Sequence, residues 1–156
     1  MRIAPVLLLG IAATAAAAGL AWMVWSSRST GRADAGDARQ VAVGAAVYRQ
    51  HCASCHGAKL EGQSSWKERK PDGKLPAPPH DETGHTWHHA DEQLFRLTKT
   101  GVKPPLAPEG YRSDMPGYDG VLSDEQIWAV LAFIKRKWPA HIRARQDRIN
   151  EASRQR

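Results

Sequence analysis

The sequence predicts an all-α fold: short helices joined by long loops, preceded by one apolar helix. Three observations predict it. Residues Ile3 to Trp25 contain no charged side chain in 23 positions. Gly44, Tyr48 and Cys52 recur at i, i+4 and i+8, so they line one face of a helix. Ser123-Asp124-Glu125-Gln126 is a capping box ahead of Ile127, Val130, Leu131 and Ile134, which repeat at helical spacing. No β–α–β alternation is present. Ten Pro and thirteen Gly account for the loops, while 42% hydrophobic residues and six Trp exclude a disordered chain. A body of this size buries limited apolar surface and often needs a metal, a disulfide or a cofactor to complete its core.

The elements follow in chain order. As a helix, Ile3–Trp25 spans roughly 34 Å, enough for a bilayer core of about 30 Å. Trp22 and Trp25 stand at its far end, where interfacial aromatics collect. Residues 1–25 therefore read as an uncleaved membrane anchor. A cleaved signal peptide is the competing reading, although its apolar region is usually shorter, at about 7–15 residues. Arg2 precedes the span and Arg28 and Arg32 follow it, so charge does not set the orientation. Residues 26–39, small and polar, read as a flexible linker reaching about 20 Å.

Residues 40–138 form the predicted domain, and 139–156 a basic tail. Residues 1–134 carry 14 Lys+Arg and 14 Asp+Glu. Residues 135–156 carry 8 basic and 2 acidic side chains, a surplus equal to the whole net charge of +6. The basic balance thus describes a solvated tail, an exposed helix after Pro139, and not a nucleic-acid-binding face. Docking on acidic partners or anionic lipid is the functional alternative for it.

The two cysteines lie in Cys52-Ala53-Ser54-Cys55-His56. A redox dithiol needs a β–α–β context, which is missing. A structural zinc site needs four ligands, and there is no second Cys pair. Covalent haem attachment is what C-x-x-C-H spacing signals directly. Two thiols on one turn each add to a haem vinyl group, and the adjacent His56 supplies a nitrogen to the iron. A thiol or metal chaperone using Cys52 and Cys55 without haem remains as an alternative.

The run G-x-x-x-Y-x-x-x-C-x-x-C-H at 44–56, "DMPGY" at 114–118 and "VLAFIK" at 130–135 resemble the class I (monohaem) cytochromes c, over about residues 39–138. The resemblance implies the cytochrome c fold, with short helices around one covalently attached haem c and a terminal helix pair crossing near Gly44. Val130 and Phe133 are the expected partners across that crossing. Haem attachment outside the cytoplasm is also implied. That places the domain in the periplasm on a single-pass inner-membrane anchor, or free there if the leader is cleaved.

The family's distal methionine falls on Met115, 59 residues after His56; Met1 and Met23 belong to the leader and span. His/Met ligation raises the potential relative to His/His. "PPH" at 78–80 resembles the family's P-x-L segment, which implies that the Pro78 carbonyl accepts a hydrogen bond from His56 and increases its donor strength. His80 stands where the family has an apolar residue.

"ADEQLFRLTKTG", residues 90–101, echoes the start of the last helix, with Ala90 in place of its Ser cap. Leu94, Phe95 and Leu97 are expected against the haem. Four histidines occupy 80–89: a polar loop over the haem edge, a copper or zinc site, and a replacement axial ligand are the readings. Trp87 is expected to donate its indole N–H to a haem propionate. Trp66 reads as surface loop.

The functional expectation is a one-electron carrier, not an enzyme by itself, working between a quinol-oxidising complex and a terminal oxidase. The alternative is a haem-containing enzyme subunit or gas-binding module with a labile Met115.

Overall fold

The computed structural model describes residues 31–155. The apolar segment 1–25 and linker residues 26–30 lie outside the described residues. Among the described residues no helix is long and apolar enough to cross a membrane. They form α1 (Ala38–His51), α2 (Ala53–His56), a 3-10 turn (Thr86–His88), α3 (Asp91–Thr100), α4 (Asp124–Lys137) and α5 (Ala140–Arg154), with no strand among them.

The ordered body begins earlier than the expected linker boundary. Ala33 is buried. Asp37 caps α1, its carboxylate accepting from the Arg39 and Gln40 amides at 2.9 and 3.2 Å. Gln40 then reaches back, accepting from the Asp34 amide and donating to the Arg32 carbonyl. Residues 31–37 are therefore tied to α1 by their own polar groups.

The main frame is the α1–α4 crossing. Buried Gly44, Val47 and Tyr48 of α1 face the apolar stripe of α4. A Cβ at Gly44 would overlap the Ala129 carbonyl and stand 2.9 Å from the Phe133 Cβ, so only glycine permits this approach. Phe133 is at the crossing as expected, but Ala129 takes the place expected of Val130. One residue rotates a side chain by about 100° around a helix, and Val130 turns into the core instead. Tyr48 packs against Phe133 with ring centroids 5.3 Å apart. Such aromatic pairs add about 1 kcal/mol beyond area burial.

Helix α4 starts at the capping box: Ser123 Oγ accepts from the Gln126 amide at 3.3 Å, and Gln126 Oε1 accepts from the Ser123 amide at 2.9 Å. It ends at Trp138, whose extended backbone is what a following proline favours. Its Trp128 stacks on Phe95 of α3, with centroids 4.4 Å apart.

The tail departs most from expectation. Helix α5 is not solvated all round. Trp138, Ile142, Gln146 and Asn150 are buried, at 1%, 8%, 0% and 7% exposure. Gln146 Nε2 donates to the His89 carbonyl (3.2 Å) and to Asp91 (2.5 Å). Asn150 donates to Gln146 and accepts from the Asp91 amide at 2.7 Å. Asp91 also receives Lys135 Nζ at 2.6 Å. Ala90 has no side-chain cap to offer α3, so Asn150 satisfies that N-terminus from another helix. Hydrophobic periodicity misses such a seam because its buried residues are amides.

Candidate haem site

The site begins where α1 hands over to α2. Cys52 ends α1, and its carbonyl accepts from the Cys55 amide (3.1 Å) and the His56 amide (2.9 Å). The two thiols and the imidazole thus share one turn. Both cysteines are free; Cys52 is half-buried and Cys55 exposed. Burial pushes the Cys52 thiol up to about 11. A redox dithiol needs a depressed attacking thiol, so this environment does not favour that chemistry. Helix α2 stops at Gly57, whose φ of +82° suits glycine alone.

His56 is 7% exposed. Its Nδ1 lies 2.8 Å from the Pro78 carbonyl oxygen, so the N–H sits on Nδ1 and the Nε2 lone pair is left for another partner. Burial lowers its pKa, against the opposite pull of that carbonyl. Tyr48 Oη donates to the Gly57 carbonyl at 2.9 Å and contacts the His56 carbonyl at 3.3 Å. The Gly62 amide donates to the same His56 carbonyl at 2.8 Å.

Met115 is half-buried, in the loop between α3 and α4. Its amide donates to Ser113 Oγ at 3.1 Å. Asp114 pairs with Lys70 at 3.1 Å and with Lys74, and these two ammonium groups hold its carboxyl below the usual range. Beyond Met115, the Tyr118 amide donates to the Thr98 carbonyl (3.1 Å) and the Asp119 amide to the Lys99 carbonyl (2.9 Å), which ties the loop to α3. Tyr118 Oη donates to the His51 carbonyl at 2.6 Å. His51 directly precedes Cys52, so this bond joins the Met115 segment to the thiol turn. The sequence pattern flagged Tyr118 only as part of "DMPGY".

The remaining expectations divide. Leu94 and Phe95 are buried and Leu97 partly so. Trp87 is buried, but its indole N–H donates to the Glu82 carbonyl at 3.3 Å. The donor expected for a propionate is therefore engaged within its own loop, while the Arg145 guanidinium covers its ring face. The four histidines of 80–89 do not gather at one point, although His85 and His89 meet edge-on with centroids 5.5 Å apart. His80 stacks on His56, His85 on Trp66, and His88 on Trp87. His89 contacts Gln93. Among the described residues no group of three or more His, Cys, Asp or Glu side chains is placed to hold a metal ion, so the copper or zinc reading of this segment gains no support. The stack on His85 also gives Trp66, read as plain surface loop, a partner in the histidine segment.

Two free thiols on one turn, beside a buried imidazole with its tautomer set, are the donor set that a covalently attached haem requires. Residues 39–134 match the family described as cytochrome c oxidase, cbb3-type, subunit III. The chain belongs to that family. It is therefore a c-type cytochrome of the bacterial, membrane-associated type, with covalently bound haem c. It is 24% identical over 94 residues to the cbb3-type cytochrome c oxidase subunit FixP of Sinorhizobium medicae (strain WSM419). That match covers 60% of this chain and 29% of FixP, so the cbb3-family domain here spans less than a third of that curated relative. No solved structure matches.

Proposed function

We propose that this protein is a one-electron carrier within, or delivering to, a terminal oxidase complex. Its haem is bound through Cys52 and Cys55, with His56 and Met115 as axial ligands. The observation that carries the reading is the 2.8 Å contact from His56 Nδ1 to the Pro78 carbonyl, beside two free thiols on the same turn. When bound, the haem supplies a one-electron Fe(II)/Fe(III) couple. Pro78 fixes the imidazole tautomer and raises its donor strength. Tyr48 and Gly57 close the turn beneath it, and Tyr118 keeps the Met115 segment against the end of α1. An iron with both axial positions filled would need little rearrangement on electron transfer, which suits a carrier.

In the same reading residues 1–25 anchor the protein in the inner membrane, residues 26–30 link, and the helical body stands in the periplasm. Electrons enter from a quinol-oxidising complex and leave to the oxidase. Neither nucleic acid nor a second metal has a part in it.

The test is a pyridine haemochrome spectrum with intact mass on protein made in a cell competent for haem attachment. One haem that resists acid–acetone extraction is expected, together with the mass of the uncleaved chain. Pigment that extracts freely would sink the covalent assignment.

A further inference from the structure

The proximal imidazole touches a second histidine. The rings of His56 and His80 are stacked, with centroids 4.0 Å apart and planes 22° from parallel. The Pro78 bond holds His56 at one atom only, and a ring held at one atom still pivots. A flat wall against its face removes that freedom.

The wall is itself braced. The His80 amide donates to the Leu60 carbonyl at 2.8 Å. The His80 carbonyl accepts from Trp138 Nε1 at 2.8 Å, and Trp138 is almost fully buried. His80 Nδ1 lies 2.7 Å from Thr86 Oγ1, and Thr86 is buried. Tyr48 closes the assembly edge-on, its ring centroid 6.3 Å from that of His80. Leu60 adopts a left-handed φ of +69°, which costs a non-glycine residue about 1–2 kcal/mol. It thereby turns its carbonyl toward the amides of both His80 and Asp81. Filling space against His56 would need only an aliphatic side chain, without a partly buried polar ring whose nitrogen needs a partner. A ring braced on several sides, next to a strained residue, is the pattern of a positioning device.

We propose that His80 is a positioning residue: it sets the rotational orientation of the His56 imidazole, and Thr86, Leu60 and Trp138 hold it in place to do so. Trp138 leads directly into α5, so the C-terminal extension supports the proximal side of the haem through this bond. The electron-rich face of His80 also lies against an imidazole that gains positive character when the iron is ferric, a favourable contact of the kind aromatic faces make with cations. It therefore favours the oxidised state. The inference rests on His56 being the axial ligand proposed above.

The test uses full-length holoprotein with low-temperature electron paramagnetic resonance of the ferric form and potentiometric titration. His80→Leu is expected to keep the haem attached, shift the largest g value and raise the midpoint potential. His80→Phe, which keeps a flat ring, is expected to return the g value toward wild type. Thr86→Val, which frees the ring, is expected to broaden the signal. Unchanged spectrum and potential in His80→Leu, or equal shifts in the Leu and Phe variants, would overturn the inference. If His80→Leu does not assemble, Thr86→Val decides: a wild-type spectrum there overturns it as well. The ligand assignment is tested separately by His56→Gly, which should lose the low-spin spectrum and recover it with added imidazole. Failure of that rescue in protein that still carries covalent haem removes His56 as ligand, and the inference falls with it, whatever the His80 variants do.

Discussion

The two segments proposed to clasp the haem are held in opposite ways. Around Cys52–His56 the contacts are partly or fully buried: the Pro78 carbonyl on Nδ1, the Tyr48 hydroxyl on the following carbonyls, and Gly44 pressed against Ala129 behind them. Around Met115 the charged restraints, Asp114 between Lys70 and Lys74, are exposed, and the Ser113 hydroxyl on the Met115 amide is partly buried. Burial strengthens a hydrogen bond and removes competing water, whereas an exposed ion pair is screened and weak. The thiol turn is therefore the more firmly held of the two segments, and the Met115 segment depends more on exposed charge pairs, except where Tyr118 bonds it to His51. Five variants test that asymmetry.

The largest effect is expected from Cys52→Ala combined with Cys55→Ala. It should abolish covalent haem and most of the cooperative fold, read as loss of colour and of helical circular dichroism. A well-folded apoprotein with unchanged helix content would contradict this. Gly44→Ala comes next: the Cβ meets backbone, which cannot move aside, so about 3 kcal/mol of stability should be lost, measured by urea denaturation of the holoprotein. Met115→Ala should leave the haem attached and the fold intact, while the far-red Met–iron band disappears and the potential falls. A surviving band would exclude Met115 as ligand.

Asn150→Ala should cost about 1–2 kcal/mol by leaving the Asp91 amide without a partner, with no change in the haem spectrum. The smallest effect belongs to Asp114→Asn. Here the unfolding midpoint should stay put while carbon monoxide binds the reduced protein faster, and raising the salt concentration should bring wild type toward the variant. Equal carbon monoxide rates at low salt would mean that Asp114 does not restrain the Met115 loop.

Much of the frame was legible in local pattern. The C-x-x-C-H spacing, the i, i+4 positions of Gly44, Tyr48 and Cys52, and the Ser123 capping box each encode a local geometry that needs no distant partner. The helix expected from about Arg39 to the thiol motif is observed as Ala38–His51, and the helix after the capping box ends before Pro139 because the proline ring disfavours a helical residue ahead of it. Legibility failed where a residue's role depends on a contact remote in sequence. Asn150 capping α3 is separated from Asp91 by 59 positions. Trp87 carried a plausible donor, but only the folded loop reveals that Glu82 takes it. The histidine run suggested a shared metal, and three of its rings instead stack on three different partners.

Alone, the amino-acid order determined the chemistry and the helical class, because haem attachment and helix initiation are written within a few consecutive residues. The tertiary structure decided which faces are buried: that a charged tail docks through amides, that Ala129 rather than Val130 meets Gly44, and that His80 lies flat on His56. Those outcomes are set by helix packing and by distant hydrogen-bond partners. Both arise only when the whole chain is compact, so no local pattern records them.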